Sequence, residues 1–138
     1  MTNQDNNKLR DLAKQYELTG QHFFKSPLGF IIITRSGIEK ISRLANIKLT
    51  YVLKTDTPEK TTIKCIAEKD GDMIESYGET DLTNLPEKKM KNGNILPRYP
   101  VAMAEKRAKS RAVLMLTEFY EAGAYGEDES EDFKRPKK

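Results

Sequence analysis

The stretch YPVAMAEKRAKSRAVLMLTEFYEAGAY, residues 99–125, decides the fold, because small and basic residues sort onto opposite sides of one long predicted helix. At 100° per residue, Val101, Ala104, Ala108, Ala112, Met115 and Phe119 fall within one narrow arc, with Leu116 at its edge. Lys106, Arg107, Lys109, Ser110 and Arg111 fill the opposite arc. Pro100 suits a first helical turn, where its missing N–H costs nothing, and Gly123 supplies a stop, so the helix is predicted over residues 100–120. The three alanines, four residues apart, leave a shallow strip against which a sheet can pack closely. Val113 and Leu114 interrupt the basic arc, which implies a second covered flank and, with it, a partner subunit.

A charged helix face is by itself an ordinary solvated surface. The asymmetry of this one points further. From residue 98 to 111 there are Arg98, Lys106, Arg107, Lys109 and Arg111 against only Glu105, whereas a solvated helix mixes signs at i,i+4 spacing. A one-signed stripe is what a phosphate backbone selects.

Upstream of this helix, the residues around Leu9, Leu12, Ala13 and Tyr16 have helical spacing and predict a short amphipathic helix ending near Gly20. Phe23, Phe24 and Pro27 fall in an irregular connection, their rings read as packing plugs. GFIIIT, residues 29–34, is a buried strand. Ser36 and Glu39 form a capping box that opens a helix with Ile38, Ile41, Leu44 and Ala45 on its apolar stripe and Asn46 at its end. The period then changes to two: Leu49, Tyr51 and Leu53 alternate with polar residues, a turn at residues 55–60 leads to a second strand, and Asp70-Gly71 closes a type I′ hairpin into a third. A loop over residues 79–98 carries Lys88, Lys89 and Lys91. The expected fold is α+β, a βαβββα core with a three-stranded antiparallel meander, a short N-terminal helix and a long C-terminal helix.

A chain of 138 residues holds one domain, taken as residues 1–125, followed by GEDESEDFKRPKK, a charged tail over residues 126–138 expected to be disordered. Of the 24 basic and 21 acidic residues, that tail holds four and five, so the body carries 20 against 16. Its positive charge is concentrated rather than spread. A mean hydropathy of −0.70 and a longest apolar run of only residues 30–33 leave nothing to span a membrane. The N-terminal residues lack a secretory pattern and there is one cysteine, so the expected location is cytoplasmic, in a bacterial host cell.

The residues also bound the chemistry. There is no HExxH, CxxC, EF-hand loop or glycine-rich phosphate cradle, so no metal, cofactor or nucleotide is expected and no catalytic residue is named. Cys65 lies in an alternating run and reads as a buried strand residue; as a nucleophile it needs a base, and His22 is the only histidine. Asp70, Asp72, Glu75 and Glu79 could hold Mg²⁺ for phosphodiester cleavage, but they fit better as a turn and the wet face of a strand. The residues read as contacting nucleic acid are Lys88, Lys89, Lys91, Arg98, Tyr99, Lys106, Arg107, Lys109 and Arg111, with Arg for bidentate phosphate contacts and Tyr99 for stacking on a base.

The segments ITRSGIEKISRLANI, the meander after it, and YPVAMAEKRAKSRAVLMLTEFYEAGAYGEDE resemble the phage and mobile-element single-strand annealing proteins, the Redβ, Erf and RecT-like recombinases. The similarity runs over residues 30–129 and is strongest at AEKRAKSR, residues 104–111, which is similar to that family's acid-x-R-A-x-x-R-A helix. Arg107 and Arg111 match its arginines, whose partner the motif leaves open: DNA, sheet or neighbouring subunit. The resemblance implies ATP-independent annealing of complementary single strands in recombination, assembly into homo-oligomeric rings or filaments, and a groove for single-stranded DNA. Recruitment of a replication or recombination protein falls to the short tail alone. Two other functions fit the same residues: an interaction module whose basic helix binds an acidic protein partner, and a small Mg²⁺-dependent nuclease.

Overall fold

A computed structural model describes residues 3–82, 91–94 and 99–129. The fold is α+β, with helices α1 (Asn3–Gln15), α2 (Arg35–Leu44) and α3 (Pro100–Leu116). Two three-stranded sheets accompany them. One is the expected antiparallel meander of β3 (Lys48–Asp56), β4 (Lys60–Lys69) and β5 (Asp72–Asp81). Asp70 and Gly71 close its second hairpin with φ of +50° and +88°, the positive values a type I′ turn requires. The other sheet has the order β1-β2-β6, from β1 (Phe23–Lys25), β2 (Ile31–Ile33) and β6 (Ala124–Gly126). Phe23 and Phe24 thus lie in a strand rather than an irregular connection, and Gly126 is a strand residue rather than the first of a tail.

Helix α2 begins two residues earlier than its capping box suggests. Thr34, not Ser36, is the N-cap, accepting from the Gly37 N–H at 3.2 Å, and Asn46 leaves the helix at φ +56°. β5 runs to Asp81, so its last strand residues take up the start of the expected loop.

Helix α3 is covered on two flanks, both within the chain. Ala108 and Ala112 pack with Cys65 and Ala67 of β4. Val113 and Leu114 belong to a larger core with Leu12 and Tyr16 of α1, Ile33 of β2, Ile38 and Ile41 of α2, and Phe119. The second flank therefore needs no partner subunit. α3 ends at Leu116, short of the expected length, because Glu118 adopts φ +70° with its N–H returning to Met115 O, and Thr117 Oγ1 bonds Val113 O at 2.7 Å. That turn drops Phe119 into the core against Tyr16, ring centroids 5.8 Å apart, and leaves Met115, expected inside, 42% exposed.

Inward-facing residues of β5 are small, and α3 lies directly on them. Ser76 Oγ donates to Ala108 O at 2.5 Å and Thr80 Oγ1 donates to Pro100 O at 3.1 Å. Between them, a Cβ on Gly78 would stand 1.9 Å from Ala104 O and 2.5 Å from Ala108 N. The alanine strip thus meets a glycine strand, and backbone touches backbone.

Candidate nucleic-acid interface

The basic arc of α3 divides into two groups with different work. Arg107 is 4% exposed; its Nε donates to Asp128 O at 3.1 Å and its Nη1 to Glu79 O at 2.9 Å. One turn on, Arg111 Nη1 donates to Tyr77 O at 2.8 Å and Nε to Glu129 Oε1 at 3.2 Å. β5 is an outer strand, so its outward carbonyls have no neighbouring strand to bond. The two guanidiniums supply those donors and tie helix to sheet. This corrects the reading of Arg107 as a phosphate contact: a side chain this buried does not reach a strand in solvent.

The acidic residues that hold these arginines come from residues 127–129, which sequence reading places in a solvated tail. Asp128 and Glu129 are buried. Glu127 Oε1 accepts from the Arg35 N–H at the start of α2, and Asp128 Oδ1 accepts from Arg35 Nε at 2.5 Å. Glu129 accepts from Gly126 N, Arg111 Nε and the Tyr120 hydroxyl. Burial pushes the Glu129 carboxyl above its usual range, against the pull of those donors, and pushes the Tyr120 hydroxyl up as well. The signal for this turn was present in the run GEDE, residues 126–129, but nothing in its composition tells a latch from a tail.

The other described cations of the set differ in exposure. Lys106 is exposed and has no ion-pair partner among the described residues. Tyr99, just ahead of α3, is 65% exposed. Tyr99 is the N-cap, its backbone outside the helical range at φ −130° and ψ 68°, while Lys106 lies within the helix. Lys91 is exposed in a turn. Lys109 is half-buried and pairs with Glu39 of α2; burial holds its ammonium below the usual range, partly opposed by Asp128. Lys88, Lys89 and Arg98 lie outside the described residues.

Between α2 and α3 is a cleft of about 230 Å³. It is lined by the cations Arg35, Lys106 and Lys109, the carboxylates Glu39, Glu105 and Asp128, and the aromatic ring of Tyr51. Arg35, Tyr51 and Asp128 escaped sequence reading as site residues. No short motif links them, since α2, β3 and residue 128 meet only in the folded chain.

Compared with protein-family models, curated proteins and solved structures, the chain has no match. The site is therefore read from its own geometry. Among the described residues no group of three or more His, Cys, Asp or Glu is placed to hold a metal ion. Of the acids considered for that role, Glu75 pairs with Lys64 at 3.6 Å, Glu79 with Lys60 at 3.2 Å, and Asp70 with Lys69 at 3.1 Å. Cys65 is buried on β4, where burial and the nearby Glu105 charge push its thiol up to about 11, so it stays protonated at neutral pH. His22 is buried and accepts from the Thr19 N–H through Nδ1. Among the described residues no helix is long and apolar enough to cross a membrane.

Proposed function

We propose that this protein binds single-stranded DNA and promotes ATP-independent annealing of complementary strands during recombination, as a homo-oligomer. The observation that carries the reading is the exposed Lys106 on α3, beside the cleft that holds Arg35 and Lys109, with the exposed Tyr99 at the N-cap of the same helix. Lys106 and Lys91 offer phosphate contacts and Tyr99 a stacking surface, a combination that holds single strands without reading sequence. The resemblance of residues 104–111 to the annealing recombinases supports the same reading. The mechanism is electrostatic and geometric rather than covalent. Neutralised phosphates repel a second strand less, and extended bases remain open to pairing.

The footprint is small, since Arg107 is buried and Arg111, though partly exposed, is held by Tyr77 O and Glu129. Two to four phosphate contacts correspond to a slope of roughly −1.4 to −2.8 in log K against log salt for a single strand. A labelled oligonucleotide titrated at low and moderate salt measures it. Binding that does not weaken with salt contradicts phosphate tracking, and preference for an acidic polypeptide over the oligonucleotide favours the interaction-module reading.

A further inference from the structure

The cleft between α2 and α3 is poorly suited to a phosphate. Its charged lining is balanced, three cations against three carboxylates, so an anion entering it meets as many like charges as opposite ones. Part of that lining is already engaged. Asp128 holds Arg35 Nε at 2.5 Å, and Lys109 pairs with Glu39. What stays open is one acceptor and one donor. Glu105 is exposed and has no hydrogen bond or ion pair among the described residues, and the Nη groups of Arg35 likewise bond none of them. Tyr51 and Ile38 give the same cleft apolar surface. Glu105 lies close enough to Tyr51 for its charge to add to burial in pushing the phenol up, so the hydroxyl stays protonated.

We propose that this cleft takes one unstacked cytosine of the bound strand, its exocyclic amine donating to Glu105 and its N3 and O2 accepting from Arg35. The inference rests on the proposed function and deepens it by giving the strand-binding surface a base preference. Lys106, next to Glu105 in the chain, meets the phosphate at the rim while Glu105 meets the base within. Bases splayed out of single strands are held in this way, by stacking on an aromatic side chain and hydrogen bonds to the pairing edge, and Tyr51 supplies the ring. Cytosine sets an amine beside two acceptors on that edge, the order that a carboxylate and a guanidinium require. Thymine carries carbonyls at both ends of the edge and turns O4 against the carboxylate. Adenine repeats the amine and acceptor on two rings. The single ring suits a cleft of about 230 Å³, below the roughly 300–1,000 Å³ of pockets that hold drug-sized ligands.

Fluorescence anisotropy with the full-length chain at fixed salt tests the preference. Wild type is expected to bind an oligodeoxycytidine about fivefold more tightly than an oligothymidine of equal length. Glu105→Ala, at an exposed position, is expected to fold as the wild type does and to bring the two affinities together by weakening the cytidine strand alone. A rim carboxylate that only repels phosphate predicts the reverse. In that case both strands bind Glu105→Ala more tightly and in equal proportion, which overturns the base site. Equal binding of the two strands by wild type overturns it as well and leaves single-strand binding standing. Free nucleosides separate the site from the strand: deoxycytidine is expected to shift the Tyr51 and Ile38 resonances in NMR spectra, and thymidine to leave them in place. Shifts from neither nucleoside, or equal shifts from both, overturn the cytosine site. If neither strand binds while deoxycytidine alone still shifts Tyr51, the strand-binding reading falls and the base site stands.

Discussion

Gly78→Ala is expected to destabilise the protein by at least about 3 kcal/mol, the upper end of ordinary overpacking, and to leave little folded chain at 37 °C. The usual relief of an overpacked core is rotation of a flexible side chain. Here the obstacles are Ala104 O and Ala108 N, both backbone atoms of α3, so the helix itself has to lift from β5. Lifting it also breaks the hydrogen bonds from Ser76 to Ala108 O and from Thr80 to Pro100 O. Chemical denaturation followed by far-UV circular dichroism measures the loss. A stability within 1 kcal/mol of the wild type contradicts the close packing of α3 on β5.

Arg107→Met is expected to cost about 3 kcal/mol, and roughly 10 °C in melting temperature, although it keeps most of the apolar stem. The loss comes from the carbonyls of Glu79 and Asp128, which the guanidinium bonds together and a thioether cannot. Arg107→Lys recovers only part of it, because one ammonium lacks the fork that spans two acceptors. Lys106→Met, one residue away on an exposed position, is expected to change stability by under about 0.5 kcal/mol. Thermal melts of the three variants decide the matter; equal melting temperatures for the Arg107 and Lys106 variants contradict the division of the basic arc.

Local signals carried much of the architecture. The Asp70-Gly71 turn, the alternation on either side of it and the apolar stripe of α2 are written within a few residues each, and the meander and helix follow from them. β1 and β6 were not legible, because each is three residues long and is a strand only by pairing with β2. The early end of α3 depends on Glu118 at positive φ and on the burial of Phe119 against Tyr16, neither of which a helical wheel contains.

The candidate site was legible at its surface and not beneath it. The wheel placed Lys106 and Arg107 in one arc, yet Lys106 is exposed and Arg107 buried, and residue type does not say that β5 presents unbonded carbonyls beside one of them. Nor does a run of acids announce that Asp128 and Glu129 return to the core to meet Arg35 and Arg111. The positive charge on α3 thus serves two ends, arginines that assemble the domain and a lysine left facing solvent.

That division meets its most direct test in the rate at which the protein anneals two complementary labelled oligonucleotides, comparing wild type with Lys106→Glu. The variant is expected to melt with the wild type and to anneal at least tenfold more slowly, a loss of about 1.4 kcal/mol in strand binding. A folded Lys106→Glu protein that anneals at the wild-type rate places the strand elsewhere and contradicts the account.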